Sequence, residues 1–294
     1  MANTTLTTLN DLIANVVQEA MFVASERSIM RGLVKNFNVP KNTGKVLQVP
    51  LYPAQTAKDL VEGTDMDGDS GGAASDTAIS TNTGGSVSIT LAEVGIMTTV
   101  SDMAINHAVS NVVADLGKLF GEAVAKKIDQ KLTALFSGFS TYAFGSAVDT
   151  QSTLTVPSLF KAFATLKASA VPGPYYGVFH PKSIYNLKSA MTSTFVPQGN
   201  TGVVNEAMRE GYVGRIAGID IYESSNVAED SATSVVNGVF SRDALGLAIG
   251  QDIQIATQRD ESKRALEVVC TAVIGVSELH DTYGVQVVGT NTMA

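Results

Sequence analysis

One cysteine, three histidines and no tryptophan stand in 294 residues, and each scarcity removes a class of function. A lone cysteine, Cys270, can close no internal disulfide and build no zinc cluster. It sits inside an apolar run and is expected as a buried strand residue. His107, His180 and His280 are scattered, and none has the spacing of metal ligands. Charged residues make up only 16% of the chain, with 28 acidic against 20 basic. The resulting formal charge of −8 has the wrong sign for a reader of nucleic acid, which carries a basic face. It does not exclude a container for nucleic acid, whose wall must not hold its contents. The N-terminus lacks a basic segment followed by a long apolar one, so no signal peptide is expected and a reducing cytoplasm is the default place of folding.

What is present is organised around Ser101 to Gly138, which has the pattern of one long helix. Ile105, Ala108, Val109, Val112, Val113, Leu116, Leu119, Phe120, Ala123, Val124, Ile128, Leu132 and Leu135 recur at steps of three and four. Thr99 or Ser101 can cap its start, Asp102 suits the positive end of the dipole, and Gly138 is a suitable stop. Such a helix would be about 50 Å long, more than a compact domain of this size needs. Asp115, Lys118, Glu122, Lys126, Lys127 and Asp129 exclude a simple membrane span. Gly117 and Gly121 weaken a helix standing alone but let another backbone come close. A spine with other elements packed along it is the reading that fits.

Upstream, Leu9, Leu12, Ile13, Val16, Val17, Ala20 and Met21 form a short apolar stripe within an extended arm. Glu19 and Glu26 leave it no cationic face for anionic lipid, so docking on protein is expected and no membrane partner is. Lys45 to Tyr52 is expected as an edge strand because of Pro50 and Pro53, with Ser86 to Val100 as its return. The Gly, Asp, Ser and Thr-rich stretch between them is far longer than a hairpin loop and suits a tongue lying on a neighbouring subunit. Downstream of a polar turn region at 141–153, helices are expected at Val156–Ser169, from Pro181, and at Val203–Glu210. The first would turn Leu159, Phe160, Phe163 and Leu166 inward, and the second Ile184, Leu187 and Met191. Strands are expected at Tyr175–Phe179, at Val213–Ile216 and Ile219–Tyr222 around Ala217-Gly218, at Val235–Phe240, Ile253–Thr257, Leu266–Ile274 and Gly284–Val288. The order is α+β without regular βαβ alternation.

Three motifs imitate active sites. Gly68-Asp69-Ser70-Gly71-Gly72 has the spacing of a nucleophilic serine, but no histidine precedes it and its flanks are neither strand nor helix. A serine without a base is a weak nucleophile. Asp65, Asp67, Asp69 and Asp76 imitate a calcium loop, yet Ser70 stands where that loop needs glycine. A solvated turn-rich tip is the better reading. Gly211, Gly214 and Gly218 lack dinucleotide spacing and belong to a hairpin. No catalytic residue, cofactor or metal ligand is expected.

The segment Tyr212-Val213-Gly214-Arg215-Ile216-Ala217-Gly218-Ile219-Asp220-Ile221-Tyr222-Glu223-Ser224-Ser225-Asn226-Val227 resembles a hairpin recurrent in major capsid proteins of tailed bacteriophages, the Hong Kong 97-type fold. Val178-Phe179-His180-Pro181 before a helix resembles a second recurring segment, and Asp281 to Val288 the usual closing strand. Tongue, spine, mixed domain and final strands also follow that family's order. The resemblance implies an N-terminal arm at 1–44, an E-loop hairpin at 45–100 and a peripheral domain at 101–154 and 251–294. It implies an axial domain at 155–250. It implies a chain that partners itself, as hexamers and pentamers of an icosahedral shell around double-stranded phage DNA without sequence-specific binding. A separate scaffolding protein, a portal and a decoration protein are the further partners it implies. The place it implies is the virion, after assembly in the host bacterial cytoplasm. Lys58, alone well inside the E-loop, matches no cross-linking motif, so non-covalent shells are expected. An encapsulin-type compartment shell shares the fold, and a surface-layer or adhesin protein shares the acidic, Thr/Gly-rich composition.

Overall fold

The computed structural model describes residues 28–40, 44–51, 85–103, 112–143, 153–194, 214–229 and 234–292. The stripe at 9–21, the tongue with Ser70 and the 65–76 loop, the helix at 203–210 and His107 lie outside the described residues.

The described chain opens with α1 (Met30–Leu33) and β1 (Lys35–Asn38), followed by β2 (Val46–Leu51), β3 (Gly85–Thr90) and β4 (Ala92–Ser101). After α2 (Val112–Thr133) and a 3-10 turn (Ala134–Gly138) come α3 (Val156–Ala168), β5 (Tyr175–Phe179) and α4 (Pro181–Thr194). The chain ends through β6 (Arg215–Ile216), β7 (Ile219–Glu223), β8 (Ser234–Ser241), β9 (Leu245–Asp260), β10 (Ala265–Glu278) and β11 (Gly284–Thr290). Three sheets result: β1-β9-β10-β4, β11-β8-β5-β7-β6, and the pair β2-β3. The described residues divide into two units, a small one holding 48–51 and 85–88 and a larger one holding the others.

Within the larger unit, α2 packs along the four-stranded sheet. Phe120, Val124, Ala125, Ile128 and Leu132 are buried on it, and from β10 they meet Val268, Cys270, Ala272 and Ile274. The five-stranded sheet is covered on both faces, which is why every residue of β8 is buried. Phe136, Phe139 and Phe240 cluster on one side, while α3 and α4 bring Leu159, Leu166, Ile184 and Leu187 to the other. Asn237 stands fully buried in β8 and is satisfied. It accepts from the His180 amide at 2.8 Å and donates to Ser183 Oγ and the Val287 carbonyl.

Local chemistry explains the clearest ends. Thr155 N–H donates to Ser158 Oγ at 3.2 Å before α3, and Pro157 sits in the first turn. At the far end Ala170 turns left-handed (φ 52°), so its amide and that of Val171 reach the Lys167 and Leu166 carbonyls. Ala217 and Gly218 both have positive φ, 54° and 82°, as a two-residue hairpin between β6 and β7 requires.

Several sequence expectations need correction. Ser86 to Val100 is not one return strand: it breaks at Leu91, β3 pairing with β2 and β4 with β10. Ser101 closes β4 and helical residues begin at Asp102, as a cap at Ser101 requires, whereas the α-helix stops at Thr133 before tightening into the 3-10 turn to Gly138. Leu119 and Phe160, placed on inward faces, are 58% and 53% exposed. Strand β9 is far longer than Ile253–Thr257, and β1, within the expected arm, pairs parallel with it from Lys35↔Gly246 to Asn38↔Ile249.

Cys270 is fully buried on β10, as expected, and burial pushes its thiol up to about 11. A thiol reagent is therefore expected to leave the folded subunit unlabelled and to react once urea unfolds it. Rapid labelling of the native protein would contradict this placement.

Candidate functional site

Among the described residues no group of three or more His, Cys, Asp or Glu is arranged to hold a metal ion. The described histidines have structural partners. His180 precedes α4, where its Nδ1 accepts from the Lys182 amide at 3.3 Å, and burial holds its pKa low. His280 stacks on Tyr283 with ring centroids 4.5 Å apart. What the structure offers instead is surface, displayed by well-anchored elements.

The first such surface is the open face of the four-stranded sheet. Alternation sends Val94, Ile96, Thr98 and Val100 of β4 toward α2 and leaves Glu93, Gly95, Met97 and Thr99 outside. Met97, 58% exposed, pairs across the ladder with Val269, which in turn pairs with the exposed Ala256 of β9. Leu119 on α2, Phe160 on α3 and Tyr185 on α4 add large exposed side chains on other faces. Scattered apolar residues are normal on any surface, so only their placement on secondary structure, not their number, bears on assembly.

The far end of this sheet is held by a ladder of charges. Arg259 grips Asp102 with two parallel bonds of 3.0 and 2.9 Å and Glu261 with a third of 2.8 Å. The Arg259 bond holds the Asp102 carboxyl below its ordinary range. Lys263 bridges Asp260 and Glu267, and the Ser262 hydroxyl helps bring Asp260 down to about 2. Asp102, helical directly after β4 as expected, also ties the end of β4 to the β9–β10 turn. Its amide also donates to the Arg264 carbonyl at 3.1 Å.

The base of the N-terminal segment is fixed from inside. Asp129 of α2 is 1% exposed, and its Oδ1 accepts from Ser28 Oγ at 2.7 Å and the Met30 amide at 3.2 Å. Its Oδ2 accepts from the Ile29 amide at 3.3 Å. Burial pushes this carboxyl up, against the pull of those donors and of Asn226. Sequence reasoning counted Asp129 only as a charge. Its phase, four after Ala125 and three before Leu132, was the signal that it faces inward.

A family model described as phage capsid protein matches residues 56–288. No curated protein matches the chain. Among solved structures, the capsid of cyanophage P-SCSP1u is similar at TM-score 0.67 and 16% identity, over 90% of this chain and 89% of that one. A chain of Mycobacterium phage Che8 is similar at TM-score 0.63 and 18% identity, over 83% and 85%. The virus-like particle from Pyrococcus furiosus is similar at 0.60 and 12%, over 94% and 98%. At these identities the structures speak for the fold, which is Hong Kong 97-like. With that fold in place, and a family match running from the tongue to the closing strand, the chain belongs to the phage capsid protein family, whose role is structural.

Proposed function

We propose that this capsid protein assembles as hexamers and pentamers into an icosahedral shell around packaged double-stranded DNA. The observation that carries the reading is the family match over 56–288, which includes both the long tongue and the last strands. We assign the tongue and its strands, 45–100, to an E-loop and 1–44 to an N-terminal arm. A peripheral domain comprises 101–154 and 251–294, and an axial domain 155–250. In support, α2 backs the sheet built on β9 and β10, which β1 and β4 join from the arm and E-loop segments, whereas β5, β7, β8, α3 and α4 cluster within 155–250. Strand β11 adds an edge to that second group.

The affinity arises from many modest contacts between copies, since multivalency supplies strength while single errors still dissociate. A net charge of −8 suits a wall that must release its DNA, because phosphate binding needs clustered cations. Assembly occurs in the host bacterial cytoplasm with a separate scaffolding protein and a portal, and a decoration protein joins the virion. Electron microscopy of the concentrated protein, with and without a candidate scaffold, tests this. Closed shells of uniform size only with the scaffold, containing DNA when taken from infected cells, are the expected result. A rigid monomer at high concentration would overturn the reading. Uniform shells from the chain alone would remove the scaffold.

A further inference from the structure

Strand β4 closes one side of the four-stranded sheet, and β10 is its only strand neighbour there among the described residues. Two bonds fix the direction of its backbone groups. The Asp102 amide donates to the Arg264 carbonyl at 3.1 Å, toward β10, and the Leu91 amide donates the other way, to the Lys45 carbonyl at 2.9 Å. Antiparallel ladders alternate, so Val94, Ile96, Thr98 and Val100 exchange bonds with β10. Gly95, Met97 and Thr99 therefore turn both N–H and C=O away from the sheet.

A long edge of this kind is ordinarily guarded by Lys, Pro or a bulge. From Val94 to Ser101 this one has no charge and no proline, and its register with β10 is unbroken from Ala92 to Ser101. On the helix side a groove of about 220 Å³ opens between Val94, Gly95 and Ile96 of β4 and Ala123, Val124 and Lys127 of α2. Val94 and Ile96 are only half-buried beside it. Edge and groove together have the form that one more strand would complete.

We propose that the added strand is β4 of a second copy of this chain, related by a two-fold axis at Met97, so that two four-stranded sheets join into one of eight. The hydrogen bonds match by symmetry. Met97 faces Met97 and Gly95 faces Thr99, which brings outward groups to outward groups in about six bonds. The charges match as well. Glu93 stands near one end of β4 and the Arg259–Asp102 pair at the other, so antiparallel pairing carries each Glu93 to the Arg259 end of the other copy. On the helix side, Thr98 and Val100 of one copy come beside Ile96 and Val94 of the other and extend the apolar lining of the groove. The pairing rests on the reading that copies of this chain join one another, and it names one contact by which they do so.

Met97→Cys and Thr99→Cys, each in the full chain and mildly oxidised, test the axis. Across it the two residues 97 lie about 5.5 Å apart at Cα, within reach of a disulfide, whereas the two residues 99 are separated by four residues, about 13 Å. Met97→Cys should therefore give a linked dimer at least about tenfold faster than Thr99→Cys. Cys270 is fully buried and does not compete. Met97→Lys changes a side chain that is 58% exposed and sets two like charges across the axis. It should weaken self-association in sedimentation about fivefold while the subunit keeps its melting temperature. Equal linkage at 97 and 99, a Met97→Cys thiol that gives no dimer, or association untouched by Met97→Lys would overturn the pairing. Shells that close without the Met97 link overturn it and leave the shell reading intact, and linked dimers that never close into shells do the reverse.

Discussion

Gly238→Ala is expected to destabilise the subunit by about 3 kcal/mol, although it adds a single methyl group. Gly238 lies in the middle of β8, and a Cβ there would meet Phe136 Cδ1, Cγ and Cε1 at 2.6, 2.7 and 2.9 Å. Real Cβ atoms do not approach ring carbons so closely, so the ring or the strand must move. Neither has room. Phe136 is fully buried, stacks near Phe139 with centroids 6.3 Å apart, and leans on Phe240 at 5.5 Å. Phe139 is itself seated on a glycine, because a Cβ at Gly284 would stand 2.2 Å from its ring. Phe136→Ala should cost about 3–5 kcal/mol for the opposite reason, a cavity where the ring was. The pair gives the sharper test. In the double variant the new methyl enters the vacated space, so the combined loss should fall well short of the sum. Urea unfolding of unassembled subunits measures all three, and strict additivity would show that the glycine is not there to seat the ring.

These glycines also show why some of the fold was legible in the sequence and some was not. Helix α3, strand β5 and the β6–β7 hairpin carry their instructions locally, in Thr155, Pro157, Ala217 and Gly218 beside a clean apolar period. Strand β9 does not. Its first half contains Gly246 and Gly250, which resemble turn residues but serve close packing. A Cβ at Gly250 would lie 2.9 Å from Leu91 Cδ1, and one at Gly246 would lie 3.2 Å from Ile89 and Leu279. The β3–β4 break is hidden for the same reason, since Leu91 leaves one ladder to pack against another. Leu119 and Phe160 have the right period and the wrong phase, which periodicity alone cannot fix. The Ser140–Asp281 bonds were invisible in sequence because the two residues come from distant elements. The structural role was legible only through family resemblance, which stands on the order of elements and not on any single reactive residue.

Removing the Asp129 carboxylate should release the base of the N-terminal segment while leaving the rest of the subunit folded. Asp129→Ala strands the Ser28 hydroxyl and the Met30 amide in a buried site, a loss of about 2–4 kcal/mol on the opening of residues 28–38. The opening is local because β1 is a short edge strand of four residues, and its only sheet neighbour among the described residues is β9. Met30, Leu33 and Val34 resist it by their burial, so the segment frays without dissolving the core beneath. Asp129→Asn is the informative partner. One oxygen still accepts from Ser28, but the new amide group turns N–H donors toward the Ile29 amide, and most of the loss should remain. Ser28→Ala removes a single bond and should cost only about 1 kcal/mol. Trypsin cleavage at Arg31 and Lys35 reads the opening directly, with rates ordered wild type, Ser28→Ala, Asp129→Asn, Asp129→Ala. If the arm joins copies as proposed, Asp129→Ala subunits keep their core melting transition yet form fewer closed shells. Equal cleavage across the series would mean that apolar burial alone holds the arm, and that the buried carboxylate serves α2 instead.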